Sequence, residues 1–270
     1  MIIKRDKEEF RDYLTDAANF KGSAEIVYFP ETEEELRALI KECSSAGTRV
    51  TIAGNGTGVT GARVPCGGAV VSTSLFNKII EINKEERYAR VQAGVLLKDL
   101  QDAAESAGLF YPPDPTEWNC FIGGTISTNA SGARTFKYGP TRSYVEELTI
   151  ILSTGEILKL KRGELKGKNF KITLTAESGR EINLDIPRYK MPHTKNAAGY
   201  YARPDADAID LFIGSEGTLG IITEAKLKLL PIPSNVFSCI QFFDGEKKAL
   251  AFIEEARILS RSGSLDARGL

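Results

Sequence analysis

Ala53-Gly54-Asn55-Gly56-Thr57-Gly58-Val59-Thr60-Gly61 runs directly into Ala62-Arg63-Val64-Pro65-Cys66-Gly67-Gly68. The first half reads as a phosphate-binding loop, because glycines let backbone N–H groups turn toward an anion with no Cβ in the way. A dinucleotide-binding Rossmann unit then requires a helix whose N-terminus meets the pyrophosphate. Pro65 and the two glycines after it oppose a helix. Counted from Gly54, the spacing also misses G-x-G-x-x-G, and no Gly-Lys-Ser/Thr triplet ends the loop as a P-loop requires.

Two more segments share this small, hydroxyl-rich, nearly uncharged character. They are Ile122-Gly123-Gly124-Thr125-Ile126-Ser127-Thr128-Asn129-Ala130-Ser131-Gly132 and Gly214-Ser215-Glu216-Gly217-Thr218-Leu219-Gly220-Ile221-Ile222-Thr223. Three such segments point to an extended phosphate-bearing ligand gripped along its length. The Gly123–Gly124 pair fits either a tight turn beneath a packed helix or a helix start offering free donors. Thr128 and Asn129 add side-chain donors. Glu216, between glycines, could cap a turn or accept from a ligand hydroxyl.

Outward from the first loop, Ile26 to Phe29 reads as a strand and Arg49 to Ala53 as another. Between them Thr32 is an N-cap with Glu35 at capping-box spacing, and Leu36, Leu39, Ile40 and Cys43 recur at helical intervals until Gly47. Further strands are expected at Ala69 to Ser72, Ile79 to Ile82 and Tyr88 to Val95, and a helix at Leu96 to Ala107. Val145 to Leu152 and Glu156 to Leu160 flank a hairpin turn. The lysine-rich stretch from Lys161 to Arg188 holds a second hairpin and reads as a surface excursion. Asp205 to Ile213 suits a short helix, and Ala225 to Leu230 a strand. Val236 to Phe243 is expected as a strand, and Glu246 to Ser260 as a helix with Ala249, Phe252, Ile253 and Ala256 on one face.

The 270 residues hold 42% hydrophobic and 26% charged residues, an ordinary globular balance. Lys and Arg total 35 against 36 Asp and Glu, which leaves no electrostatic footprint for nucleic acid. No apolar stretch is long enough to span a bilayer, and the charged N-terminus lacks a signal-peptide core. A cytoplasmic protein is expected. Cys43, Cys66, Cys120 and Cys239 form no C-x-x-C pair, so no metal site is expected.

The order and wording of these segments resemble the flavoproteins of the vanillyl-alcohol oxidase and p-cresol methylhydroxylase class. The branch they are most similar to is that of D-lactate dehydrogenase, the glycolate oxidase FAD subunit and D-2-hydroxyglutarate dehydrogenase. The likeness runs from about Ala24 to Pro233. It is carried by Pro30-Glu31-Thr32-Glu33-Glu34, Gly54 to Gly61, Pro113-Asp114-Pro115, the second and third glycine segments, and Lys195-Asn196-x-x-Gly199-Tyr200.

The resemblance implies an α+β fold in which FAD lies between two subdomains, and a division of the chain. Residues 1–22 would be an N-terminal extension. Residues 23–234 would be the FAD-binding domain, with subdomains of about 23–84 and 85–234. Residues 235–270 would be the first strand and helix of a truncated α+β cap domain. It implies that Ala53, Gly54, Asn55, Gly56, Thr57, Gly58 and Val59 wrap the pyrophosphate. Asp114, Pro115, Thr116, Glu117, Trp118, Asn119 and Cys120, with Gly124, Thr128, Asn129, Ala130 and Ser131, would line the flavin and ribityl path. Glu216, Gly217, Thr218, Leu219, Gly220, Ile221 and Ile222 would hold the adenosine and ring side.

Members with covalent flavin often carry a histidine where this chain has Thr57, so non-covalent FAD is expected. The family's catalytic histidines and substrate-binding arginine belong to the cap, and no matching stretch occurs here. His193, the only histidine, could act as a base but reads as a loop residue beside Pro192. The implied activity is hydride transfer from a D-2-hydroxy acid to flavin N5, with little turnover by this chain alone. Electrons would pass to an iron–sulfur protein, a quinone or an electron-transfer flavoprotein. A homodimer and a peripheral place in a membrane-bound complex fit the same resemblance. The alternatives are a non-catalytic FAD-binding or assembly subunit, and a same-class enzyme acting on another alcohol.

Overall fold

The computed structural model describes residues 1–197 and 200–264. Its first layer begins with β1 (Ile2–Lys4) and the single turn α1 (Lys7–Phe10), and continues through β2 (Ile26–Phe29), α2 (Glu33–Ser45), β3 (Val50–Ala53) and β4 (Ala69–Ser72). The strands form one sheet in the order β1-β2-β4-β3, with β4 parallel to both neighbours and β1 antiparallel on the edge. Residues 1–22 thus give this sheet an edge strand, and Phe10 is buried in its core.

α2 starts where Thr32 accepts from the Glu35 backbone N–H. The Glu35 carboxylate then reaches back to the Glu31 N–H at 2.9 Å, one residue earlier than in a standard capping box, and also takes the Met1 ammonium at 2.6 Å. Leu36, Leu39, Ile40 and Cys43 are buried along one face, as the helical spacing predicts. They pack against Val71 and Phe76 on one side and Ile151, Ile157 and Ile221 on the other, so α2 is the seam between two sheets.

The second sheet uses β5 (Ile79–Asn83) and β6 (Tyr88–Gln92). α3 (Leu97–Ser106), β7 (Leu109–Phe110), α4 (Ile122–Ser127) and the turn α5 (Thr135–Tyr138) follow. Then come β8 (Val145–Ile151), β9 (Ile157–Lys161), β10 (Lys171–Thr175), β11 (Glu181–Asp185), α6 (Ala208–Phe212), β12 (Ile221–Lys228) and β13 (Leu230–Pro231). β5-β6-β12-β8-β9 form an antiparallel sheet, β7 pairs with β13, and β10 pairs with β11. The strand expected from Ala225 to Leu230 begins earlier, at Ile221. β12 pairs with β8 through two register shifts, between Ile222 and Glu224 and between Lys226 and Leu227.

The segment from Lys161 to Arg188 forms its hairpin but is more than a surface excursion. Ile172, Leu174, Ala176 and Ile186 are buried in the main core, while Lys171, Thr173 and Thr175 occupy the outward positions of β10. The expected strand from Val236 to Phe243 does not form. A strand is defined by its hydrogen-bonded neighbour, and this stretch has none among the described residues. Phe237 and Phe242 are 88% and 83% exposed. α7 (Glu246–Arg261) forms as expected, but only Ala256 of its apolar face is buried.

Candidate functional site

The chain leaves β3 at Ala53, and the following residues climb over the sheet edge rather than entering a helix. Gly56 turns at φ +80°, and the path returns through Gly67 and Gly68, also at positive φ, into β4. Residues 55–60 have no acceptor for their backbone N–H groups among the described residues, whereas the Gly61 N–H is held by Asp16 at 2.8 Å. A row of unpaired N–H groups is an anion-binding concavity.

α4 sits beside this loop. The Gly123 N–H donates to the Ala93 carbonyl at 2.7 Å, pinning the helix start to the end of β6. The third glycine segment crosses the other end of α4. The N–H groups of Gly214 and Glu216 donate to the Ile126 and Ser127 carbonyls at 3.0 and 2.9 Å. Glu216 adopts φ +53°, a left-handed conformation uncommon outside glycine, to make that bond. Its backbone therefore caps α4, while its exposed side chain is free to face a ligand.

These segments enclose one cleft of about 370 Å³. Gly54, Asn55, Gly56, Thr57, Gly58 and Val59 line it from the first loop. Pro115, Thr116, Glu117 and Cys120 line it from the Pro-rich turn, Gly124, Thr128 and Ala130 from the α4 region, and Glu216, Gly217, Gly220, Ile221 and Ile222 from the third segment. Asn55 closes the ring by donating to the Asn119 carbonyl at 2.6 Å. Burial pushes the Cys120 thiol up to about 12, so this wall carries a neutral sulfur.

The remaining candidates lie off the lining. Ala53 is fully buried, with its carbonyl accepting from Thr73. Asp114 pairs with Arg134 at 3.2 Å. Trp118, Asn119 and Thr218 are exposed, and Ser131 and Leu219 are half-buried. The Thr128 hydroxyl is engaged within the protein, and so is the Asn129 amide oxygen. The Thr128 hydroxyl donates to the Gly124 carbonyl at 3.0 Å, and the buried Asn129 side chain accepts from the Arg142 N–H at 3.0 Å. His193 is exposed in a separate cleft with Arg142, Tyr201 and Arg203. Lys195, Asn196 and Tyr200 are described, while Gly199 lies outside the described residues.

Comparison with known proteins gives this cleft a family. The description "FAD binding domain" matches residues 24–161. The chain belongs to the FAD binding domain family. It is 36% identical over 247 residues to a D-lactate dehydrogenase of Anaerostipes hadrus, covering 90% of this chain and 45% of that protein. It is 34% identical to a glycolate oxidase subunit of Bacillus subtilis (strain 168), covering 86% and 43%. The chain therefore spans less than half the length of these relatives. The solved structure of an alkyldihydroxyacetonephosphate synthase superposes with a TM-score of 0.64 at 20% identity, covering 86% of this chain and 41% of that one, and supports the two-layer α+β fold.

The cleft fits FAD on its own geometry. A Cβ added to Gly58 or Gly124 would meet no protein atom within 4 Å, and one on Gly54 would touch only the Phe121 ring at 3.9 Å. Protein packing does not require glycine at these places, whereas a cofactor lying against the backbone does. Two residues that shape this cleft escaped the sequence reading. Asp16 takes the N–H groups of Ala18, Phe20 and Gly61, and Arg63 lies beneath Gly56. The available signal was their charge beside an uncharged loop, which says nothing about direction.

Proposed function

We propose that this chain is the FAD-holding part of a flavin-dependent dehydrogenase that oxidises a D-2-hydroxy acid. The observation that carries this reading is the cleft itself, where unpaired N–H groups and glycines open to the interior meet on one surface. The names of the relatives, D-lactate dehydrogenase and a glycolate oxidase subunit, supply the substrate class. Residues 53–59 would wrap the pyrophosphate, residues 114–120 with Gly124 and residues 128–131 would line the flavin and ribityl path, and residues 216–222 would hold the adenosine and ring side. When bound, FAD supplies the acceptor for the hydride that leaves the substrate α-carbon.

Such a reaction also needs a base at the α-hydroxyl and a cation on the carboxylate. The cleft lining holds no histidine or lysine among the described residues, and its arginine lies at the phosphate loop. We assign those catalytic groups to a cap domain of which residues 235–270 would form the beginning. The exposed apolar faces of Phe237, Phe242, Phe252 and Ile253 are what such a domain would cover. Electrons would leave to an iron–sulfur protein, a quinone or an electron-transfer flavoprotein. No helix among the described residues is long and apolar enough to cross a membrane.

The test is to purify the chain, titrate it with FAD, and assay dye reduction with D-lactate, glycolate and D-2-hydroxyglutarate. Flavin absorbance bands with negligible turnover are expected. Failure to bind FAD sinks the reading, and brisk turnover sinks the assignment of catalysis to a cap. Because Thr57 replaces the histidine of covalent members, acid precipitation should leave the yellow colour in the supernatant.

A further inference from the structure

Arg63 is the cationic residue on the cleft lining, and none of the hydrogen bonds it makes goes to a carboxylate. Its Nη2 donates to the Asp12 carbonyl at 2.6 Å and its Nη1 to the Gly54 carbonyl at 3.2 Å. Both acceptors are neutral. The Nε is buried with no hydrogen-bond partner, and no carboxylate oxygen among the described residues lies within ion-pair distance. The guanidinium is also stacked over the Tyr13 ring at 5.1 Å. Of the three acids on the same lining, Glu117 and Glu216 stand on other segments, and Asp16 has its oxygens occupied by three backbone N–H groups, those of Ala18, Phe20 and Gly61. Burial is the largest influence on the guanidinium and opposes its charge, while Tyr13, Asp16 and Asp12 favour it without an ion-pair contact.

The position is as informative as the charge. A Cβ on Gly56 would stand 2.2 Å from Arg63 Nη1, so the guanidinium fills the space that glycine leaves beneath the loop. By holding the Gly54 carbonyl, it draws that acceptor toward itself, next to the unpaired N–H groups of residues 55–60. A half-buried cation with no carboxylate in direct contact is costly, and a bound anion in contact would offset that cost. Unpaired donors and an unpaired cation therefore meet at the same end of the cleft.

We propose that Arg63 is the charge partner of the FAD pyrophosphate, setting the phosphate loop from beneath and supplying the positive field that the uncharged loop lacks. The proposal rests on the reading that residues 53–59 wrap the pyrophosphate. Arg63 is then a binding and positioning residue that the glycine pattern does not reveal.

The experiment compares FAD with riboflavin, which lacks phosphates, by flavin fluorescence on the wild type, Arg63→Gln and Arg63→Lys. If the wild type shows no preference for FAD over riboflavin, the pyrophosphate reading itself fails. Given that preference, Arg63→Gln should weaken FAD about tenfold or more, leave riboflavin unchanged and flatten the salt dependence of FAD binding. Arg63→Lys should recover part of the loss, since it keeps the charge without the fork. Unchanged FAD affinity, or an equal loss for both ligands, overturns the proposal. Should Arg63→Gln not fold, arginine modification by phenylglyoxal on the wild type decides. FAD, but not riboflavin, should protect Arg63, and equal labelling with and without FAD overturns the proposal.

Discussion

Gly123 and Gly124 are neighbours in one short helix, yet the two sides of α4 need glycine for opposite reasons. On the sheet side, a Cβ at Gly123 would stand 2.7 Å from the Ala93 Cβ and 3.1 Å from the Ala93 carbonyl oxygen. On the cleft side, a Cβ at Gly124 would meet nothing within 4 Å. The first glycine lets the helix lie against β6. The second leaves backbone open to a cofactor. The same division runs through other glycines near the cleft. Gly94 and Gly220 are of the packed kind, where an added Cβ would meet the Thr73 carbonyl oxygen at 2.2 Å and the Ile150 Cγ2 at 2.6 Å. Gly58 is of the open kind. A glycine-rich wording therefore mixes two physical demands, and only the neighbours across space separate them.

Gly123→Ala is the substitution with the largest expected effect on this contrast. The clash is with a backbone carbonyl and a fully buried residue that has no room to retreat, so overpacking should destabilise the protein by about 1–3 kcal/mol. Thermal unfolding of the cofactor-free chain should show a drop of several degrees. An unchanged Tm would mean that α4 does not approach β6 this closely. Gly124→Ala should act in the opposite sense on the cofactor-free chain. Alanine is favoured over glycine within a helix by up to about 1 kcal/mol, so Tm should hold or rise. FAD affinity should fall all the same, because the new methyl group enters the cleft. A variant that lost stability and kept its FAD affinity would erase the distinction between the two sides.

The fold was legible where its signals are local. β2 and β4 lie where the apolar runs place them, and α2 is bounded by Thr32 and Gly47, because caps and helical periodicity act within a few residues. Pro65 and its glycines excluded a Rossmann helix for a reason equally local, and the chain passes from the loop to β4 without one. What was not legible depends on partners distant in sequence. The alternation in β10 marks one face of a hairpin but does not say that Ile172 and Leu174 join the main core. The apolar run from Val236 has strand-like content and no strand to pair with among the described residues. At the site, wording located the glycines, but the roles of Asp16 and Arg63 arise from the N-terminal segment folding beside the loop, 45 residues away in the case of Asp16 and Gly61. Asn129 read as a ligand donor because amides bind ligands, and nothing in the sequence signals that its oxygen is held by the Arg142 N–H thirteen residues on.

The smallest expected effect sharpens the contrast through two cysteines rather than two glycines. Cys120 stands on the cleft wall and Cys43 in the seam beneath α2, and both are buried, whereas Cys66 and Cys239 are exposed. Burial raises the thiol pKa at both buried positions, to about 12 for Cys120. The thiolate is the nucleophile, and at pH 8 a group with that pKa is ionised to roughly one part in ten thousand. Iodoacetamide at pH 8, read by mass spectrometry, should therefore label Cys66 and Cys239 quickly and leave Cys43 and Cys120 nearly untouched. Adding FAD should change the pattern little, because Cys120 is silent from burial before any cofactor covers it. Denaturant should expose both buried thiols together. Rapid labelling of Cys120 alone in the native chain would show a wet, open wall at the Pro-rich turn, and the cleft side of α4 would then be shaped by more than its glycines.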